Sequence, residues 1–420
     1  MPREPADTVI APDRPSLSSG ELAEYLIDLG GALLSYGCAT HQLEAVIRQI
    51  AELEGCTADA FAVPTGLWMS LRGPGSAPPV VRMLRVKDWG VDLERLALVD
   101  RLFNDVLDRK LSLAQARARL DDIEVMRPSY PPWMSWLGAS GAAGAASVFF
   151  DARPREVGVA ALGGLLIGGL RTWAGRSQRL RPLQDFLGGL IAATLAWAAT
   201  SFDPRLSREV LVLSMVVLLV PGMAITGGLA ELANRNLVSG ASKLMEAMVV
   251  FLSILFGIAA LVTLEHLLHP TTAPMIVRAQ LPFYWDVGAI LVASLCFGLI
   301  FRVPPKLLWT AVISGAIAWS LSRIGARYSL GSLATFAAAL GVGIFANGAA
   351  RISQLPAQVF ILPGLVLLVP GSFGFLSLER FLRGEFLDGT AKGFEMFLVG
   401  AAITTALLLA NVLLPARKLL

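Results

Sequence analysis

Two rhythms divide the chain. Up to about residue 130, apolar positions recur every three or four residues or alternate, with charges between them. Beyond that point long apolar runs follow one another with little interruption. In the first part, Ser18 with Glu21 three residues on forms a capping box. It opens a helix through "ELAEYLIDLGGALLSYG" that stops at Gly37. Thr40 is placed as the N-cap of a second helix, "HQLEAVIRQIAELEG", whose Leu43, Val46, Ile47, Ile50 and Leu53 share one face. The runs "GLWMSLRG" and "PVVRMLRV", joined by the turn-rich "GPGSAPP", predict two strands. Two more amphipathic helices follow, "DLERLALVDRLFNDVLDR" and "SLAQARARLDDIE", the second boxed by Ser112 and Gln115. Together they predict a compact α+β domain that ends at "MRPSYPPW".

From Trp133 onward ten spans are expected, each near the roughly 20 apolar residues a bilayer requires. They centre on residues 133–150, 156–173, 183–201, 209–231, 239–264, 284–302, 305–322, 328–350, 357–378 and 389–415. Small residues are dense in them, as in "GASGAAGAAS" and the GxxxG of Gly164 and Gly168, which suits close helix packing in lipid. The expected fold class is therefore a soluble α+β N-terminal domain followed by an all-α polytopic membrane domain of ten helices, built as a 5+5 inverted repeat. The expected divisions are a disordered leader at 1–17, the α+β domain at 18–130, membrane repeats at 131–265 and 284–420, and a linker at 266–283.

Composition agrees with this division. Only 16% of residues are charged and the mean hydropathy is +0.63, against about 25% charge in soluble proteins. Residues 1–130 hold 19 of the 32 acids and 14 of the 35 Lys/Arg; the remainder is basic. "MPREPADTVIAPDRP" has no apolar stretch of the kind a secretory leader needs, so the first domain is expected in the cytoplasm. Arg109, Lys110, Arg117, Arg119 and Arg127, with the "LRTWAGRSQRLR" loop, place the same side inside. Three cysteines (Cys38, Cys56, Cys296) and three histidines (His41, His266, His269) without CxxC or HExxH predict neither a disulfide framework nor a metal site. No GxxxxGK[ST] is present, so transport would run on a gradient and no cofactor is expected. Expected partners are a small-molecule substrate, membrane lipid and protons, with a homo-oligomer possible in principle and no nucleic acid.

One word occurs twice. "VLLVPG" spans residues 217–222 and 366–371, an offset of 149 that also maps Gly240 to Gly389, Lys243 to Lys392 and Glu246 to Glu395. Upstream, an offset of 151 pairs "FDARPREVGVAALGG" with "FRVPPKLLWTAVISG". These matches predict an internal duplication, and five spans between the copies would invert the second. A Pro removes one helix hydrogen bond and Gly loosens the backbone beside it. Such breaks at membrane depth are tolerated where they face protein or a cavity. Pro221, Gly222, Met223, Pro370, Gly371 and Ser372 are therefore the candidate substrate-binding residues. Lys243, Glu246, Lys392 and Glu395, ionisable groups near span ends, are coupling candidates, joined by Glu231 at the end of the fourth span.

"LLSYGCATHQLEAVIRQIAELEG", "VPTGLWMSL" and "DLERLALVDRLF", with the apolar runs behind them, resemble the threonine/serine exporter family over nearly the whole chain. The resemblance implies efflux of small hydroxylated amino acids from the cytoplasm across a bacterial inner membrane, driven by the proton motive force. Some relatives are associated with dicarboxylates, for which Lys243 and Lys392 would be the natural anchors. An enzymatic N-terminal domain is not expected. Thr40 reads more simply as a cap, His41 and Glu44 as solvent-facing, and no GxSxG is present. A gating domain over the cytoplasmic mouth fits better, with Pro64, Thr65 and Gly66 at the start of its docking edge. A channel, or a membrane anchor for an enzymatic domain, is the alternative from another class.

Overall fold

The computed structural model describes residues 18–75, 78–87, 90–268 and 281–416. The expected leader at 1–17, His269 and most of the expected linker lie outside them. The chain opens with α1 (Ser19–Ser35) and α2 (Thr40–Leu53), followed by strands β1 (Thr57–Val63), β2 (Gly66–Arg72) and β3 (Val80–Arg85). Helices α3 (Leu93–Leu107) and α4 (Leu113–Val125) complete this part. Next come α5 (Pro132–Phe149), α6 (Pro154–Ala174), α7 (Gln184–Phe202), α8 (Arg208–Val216), α9 (Gly222–Ala233) and α10 (Leu237–Leu268). The chain ends with α11 (Phe283–Ile300), α12 (Leu308–Arg327), α13 (Ser332–Ser353), α14 (Gln358–Leu365), α15 (Gly371–Leu382) and α16 (Phe386–Leu413).

Local chemistry explains the first elements. Both capping boxes form, Ser18 with Glu21 and Ser112 with Gln115. Gly37 adopts φ +94°, and a Cβ there would lie 2.8 Å from the Gly90 carbonyl oxygen. The three strands pair antiparallel in the order β1-β2-β3, with Phe61 opposite Trp68 and Trp68 opposite Met83. Leu67, Met69 and Leu71 point into the core, while Phe61, Trp68, Val81 and Met83 line the exposed face.

The structure corrects the expected fold class. Among the described residues the sheet is three short strands beside sixteen α-helices, not the basis of a separate soluble α+β domain. Its core does not close on itself either. Leu26, Leu33, Ile47 and Phe103 belong to one buried cluster with Val303, Ala346, Val359 and Phe360 of the later part of the chain. Three further bonds fasten that seam: Leu93 N–H to the Phe301 carbonyl (3.0 Å), Tyr130 Oη–H to the Val303 carbonyl (2.7 Å) and Arg302 to Asp92 (2.6 Å).

Among the described residues, seven helices, not ten, are long and apolar enough to cross a membrane. These are α6, α7 and α12 (each of the last two with a short 3₁₀ turn before it), α10, α11, α13 and α16. Two expected spans fail because each is cut in half. Residues 209–231 divide into α8 and α9, and residues 357–378 into α14 and α15, at the two Pro-Gly breaks. The third, α5, is built largely of Gly, Ala and Ser and is short of large aliphatic side chains. Those small residues let it pack closely: a Cβ on Gly164 of α6 would run into the Ala139 backbone of α5. Met245, Val249, Phe256, Phe394 and Val412 are exposed along α10 and α16, an apolar belt suited to lipid.

Candidate functional site

The two copies of VLLVPG interrupt their helices in the same way. α8 ends at Val216 and α14 at Leu365; in each case the next helix begins just after the proline, with Pro221 or Pro370 at its N-cap. Without an N–H, neither proline can continue the ladder to the residue four before it. The break also turns the Gly222 N–H to the Val220 carbonyl (2.9 Å), which leaves the Leu218 carbonyl without its helical donor. Arg171 of α6 supplies the donor, Nη1 lying 3.0 Å from that oxygen. The sequence pattern gave Arg171 only a topological role; its use as a partner for freed backbone depends on α6 lying beside the break.

The two breaks meet. A Cβ on Gly222 would come within 3.3 Å of the Gly371 Cα and N and collide with Val369. A Cβ on Gly371 would collide with Val220 and approach the Gly222 Cα to 3.5 Å. Beside this contact lies a cavity of about 230 Å³, lined by Val217, Val220, Gly222 and Met223 from the first copy and Val366–Val369, Gly371 and Ser372 from the second. Phe149, Phe297, Trp319 and Ser322 contribute to its remaining wall. Four of the six candidate binding residues thus line one cavity, and the two prolines set the breaks that shape it. Among the described residues lining it, none carries a charge. Its polar character comes from two serines and from the starts of α9 and α15, two twelve-residue helices whose N-terminal N–H groups carry partial positive charge.

A second cluster forms at the opposite end of α9. Glu231 is 1% exposed and accepts from four donors. Oε1 receives the Thr40 backbone N–H (3.0 Å) and Lys243 Nζ (3.0 Å). Oε2 receives Thr40 Oγ1 (2.8 Å) and Asn236 Nδ2 (3.3 Å), with His41 Nδ1 3.4 Å away. Thr40 is therefore not the N-cap. Ala39 holds that position without a side-chain acceptor, Thr40 is the first helical residue, and Glu231 satisfies the α2 terminus from another part of the chain. His41 faces this carboxylate, and Glu44 is turned inward, accepting the Ala62 N–H at 2.9 Å. Burial raises the Glu44 carboxyl above its ordinary range, against the lowering effect of that hydrogen bond. Burial likewise pushes the neighbouring Cys38 thiol up, with the Glu231 charge adding to it.

The other candidates lie apart. Lys392 pairs with Glu395 at 2.7 Å, half exposed, and sits over the Phe373 ring. Glu246 is half-buried on α10. Pro64 and Thr65 make the two-residue turn between β1 and β2, with Gly66 opening β2. Polar links to the later part of the chain come from Thr40, His41, Gln42, Asp92, Leu93 and Tyr130. Asn236, Gln42 and Gln358 carried no signal in the sequence, because each partner is remote along the chain or unremarkable in composition.

An internal cavity between two broken apolar helices, inside a bundle with seven membrane-length helices, defines a multi-pass membrane protein. The chain belongs to the threonine/serine exporter family: residues 24–265 match the family described as "Putative threonine/serine exporter", and residues 286–413 match "Threonine/Serine exporter, ThrE". A "Probable threonine/serine exporter" of Mycobacterium tuberculosis is 25% identical over 406 residues, covering 93% of this chain and 75% of that protein. An uncharacterized protein of Schizosaccharomyces pombe is 23% identical, over 83% of this chain and 47% of its own length. The "Pheromone-regulated membrane protein 10" of Candida albicans is also 23% identical, over 86% of this chain and 33% of its own. The chain thus spans most of the bacterial relative and half or less of these two fungal ones. No solved structure matches it.

Proposed function

We propose that the protein exports small hydroxylated amino acids, threonine and serine, from the cytoplasm through the cavity where the two Pro-Gly breaks meet, using the proton gradient of a bacterial inner membrane. The observation that carries this reading is the lining of that cavity. It is small, contains no charged side chain, and receives two helix N-termini and the hydroxyls of Ser322 and Ser372. Half-helix N-termini suit the carboxylate of a zwitterion, and the serines suit a hydroxyl. The protonatable groups of the reading are Glu231, Glu246 and Glu395. A dicarboxylate is less well served: Lys243 is engaged by Glu231 and Lys392 by Glu395, and neither lines the cavity.

Proteoliposomes loaded with radiolabelled threonine, serine or succinate test it under an imposed pH gradient. The expected result is saturable efflux of threonine and serine, collapsed by a protonophore and reduced by Ser372→Ala. Equal flux of succinate, or flux indifferent to the gradient, would overturn the reading.

A further inference from the structure

The two broken helices that reach the cavity have their other ends held by two residues of one turn. α9 begins at the cavity with Gly222 and Met223, and nine residues on from Gly222 offers Glu231 to Thr40. At helical rise that is about 13 Å of rigid rod. α14 runs the opposite way: it begins at Gln358, whose Nε2 donates to Gln42 Oε1 at 2.8 Å, and ends beside the cavity-lining residues 366–369. Thr40 and Gln42 both lie in the first turn of α2.

We propose that this turn is a clamp that keeps the cavity closed on the side bearing α1–α4, and that Thr40, Gln42, Glu231 and Gln358 are positioning residues for the cavity. Two properties suit the clamp to two states rather than gradual slackening. The Glu231 carboxylate is almost wholly buried, so parting it from Thr40 leaves a buried charge short of donors unless water replaces them. At the cavity end, α9 and α15 approach through the Gly222–Gly371 backbone contact, where no side chain from either glycine resists a change of angle. Release at the clamp therefore becomes rotation at the cavity.

The inference rests on the transport reading only for its consequence, so its test has a readout independent of flux. In a Cys38→Ala, Cys56→Ala, Cys296→Ser background, Ser372→Cys places the reactive thiol at the cavity wall, and an impermeant maleimide is applied to reconstituted protein from the side bearing α1–α4. Thr40→Val and Glu231→Gln are expected to speed labelling about tenfold, the scale of an ordinary coupling energy. Gln358→Ala should speed it less, and Thr40→Ser should stay with the parent. In flux assays Thr40→Val should raise the threonine KM while preserving the maximal rate. Unchanged labelling in Thr40→Val and Glu231→Gln would overturn the clamp. If those two lose monodispersity, Gln358→Ala decides, faster labelling supporting the clamp and an unchanged rate removing it. Faster labelling in a protein that moves no threonine would leave the clamp standing and remove the transport reading.

Discussion

After each Pro-Gly break the chain passes through a twelve-residue helix, turns, and enters a long apolar helix: α9 into α10, and α15 into α16. At the cavity the two copies are treated alike, Gly222 against Gly371 and Met223 and Ser372 on the same wall. Nine residues on from those glycines they part company. Where the first copy has Glu231, the 149-residue offset places Arg380, and where it has Asn236 it places Glu385. Glu231 is sealed under α2, while Arg380 and Glu385 pair with each other at 2.5 Å with about two-fifths of each side chain exposed. The repeated word thus has one geometry where the backbones touch and two where only the first copy meets α2. Shared shape belongs to the cavity, and asymmetry belongs to the N-terminal elements.

Substitutions can break that contrast. The largest effect is expected from Glu231→Ala, which strands Lys243 and the α2 terminus; the loss should be about 3–5 kcal/mol, read as a fall in Tm in detergent. Arg380→Ala, its counterpart by sequence, should change stability by no more than about 1 kcal/mol. Equal penalties at the two positions would erase the asymmetry. Next come Gly222→Ala and Gly371→Ala, where the copies should behave alike, each costing about 1–3 kcal/mol of overpacking and reducing flux. A harmless substitution at either glycine would mean the breaks do not touch. Thr40→Val should cost about 1–3 kcal/mol by leaving Glu231 one donor short, with Thr40→Ser near wild type. The smallest difference separates the lysines. Lys392→Ala removes a half-exposed pair and should cost no more than about 1 kcal/mol, less than Lys243→Ala, whose partner is buried.

How much of this was legible follows from where each feature's causes lie in the chain. The breaks at Pro221 and Pro370 were readable, because a missing N–H acts on the residue four positions away. The capping boxes at Ser18 and Ser112 were readable for the same reason of locality. The number of spans was not, because an apolar run of membrane length looks the same whether or not its helix is continuous, and two such runs are cut at those very prolines. β1 was missed because "TADAFAV" is alanine-rich, and what makes it a strand is pairing with β2, Ala58 opposite Leu71 and Ala60 opposite Met69. The Glu231 cluster was out of reach. Its acceptor and its chief donor stand 191 residues apart, and Gln42 and Gln358 stand 316 apart. Local pattern marked Thr40 as a cap because a hydroxyl before a helix is usually one; here its hydroxyl donates to a carboxylate on α9.

The Gly222–Gly371 contact sets a limit on how this protein can diversify. Where two backbones touch, the spacing is fixed by peptide groups, whose size no substitution alters except by adding a side chain that does not fit. The surrounding wall is different. Val217, Val220, Met223, Val366 and Ser372 each present a side chain that can be trimmed or exchanged for a polar one. Under the export reading proposed above, a lineage built on this scaffold would keep the glycines and vary that ring, changing cargo while the joint between the two breaks stayed the same.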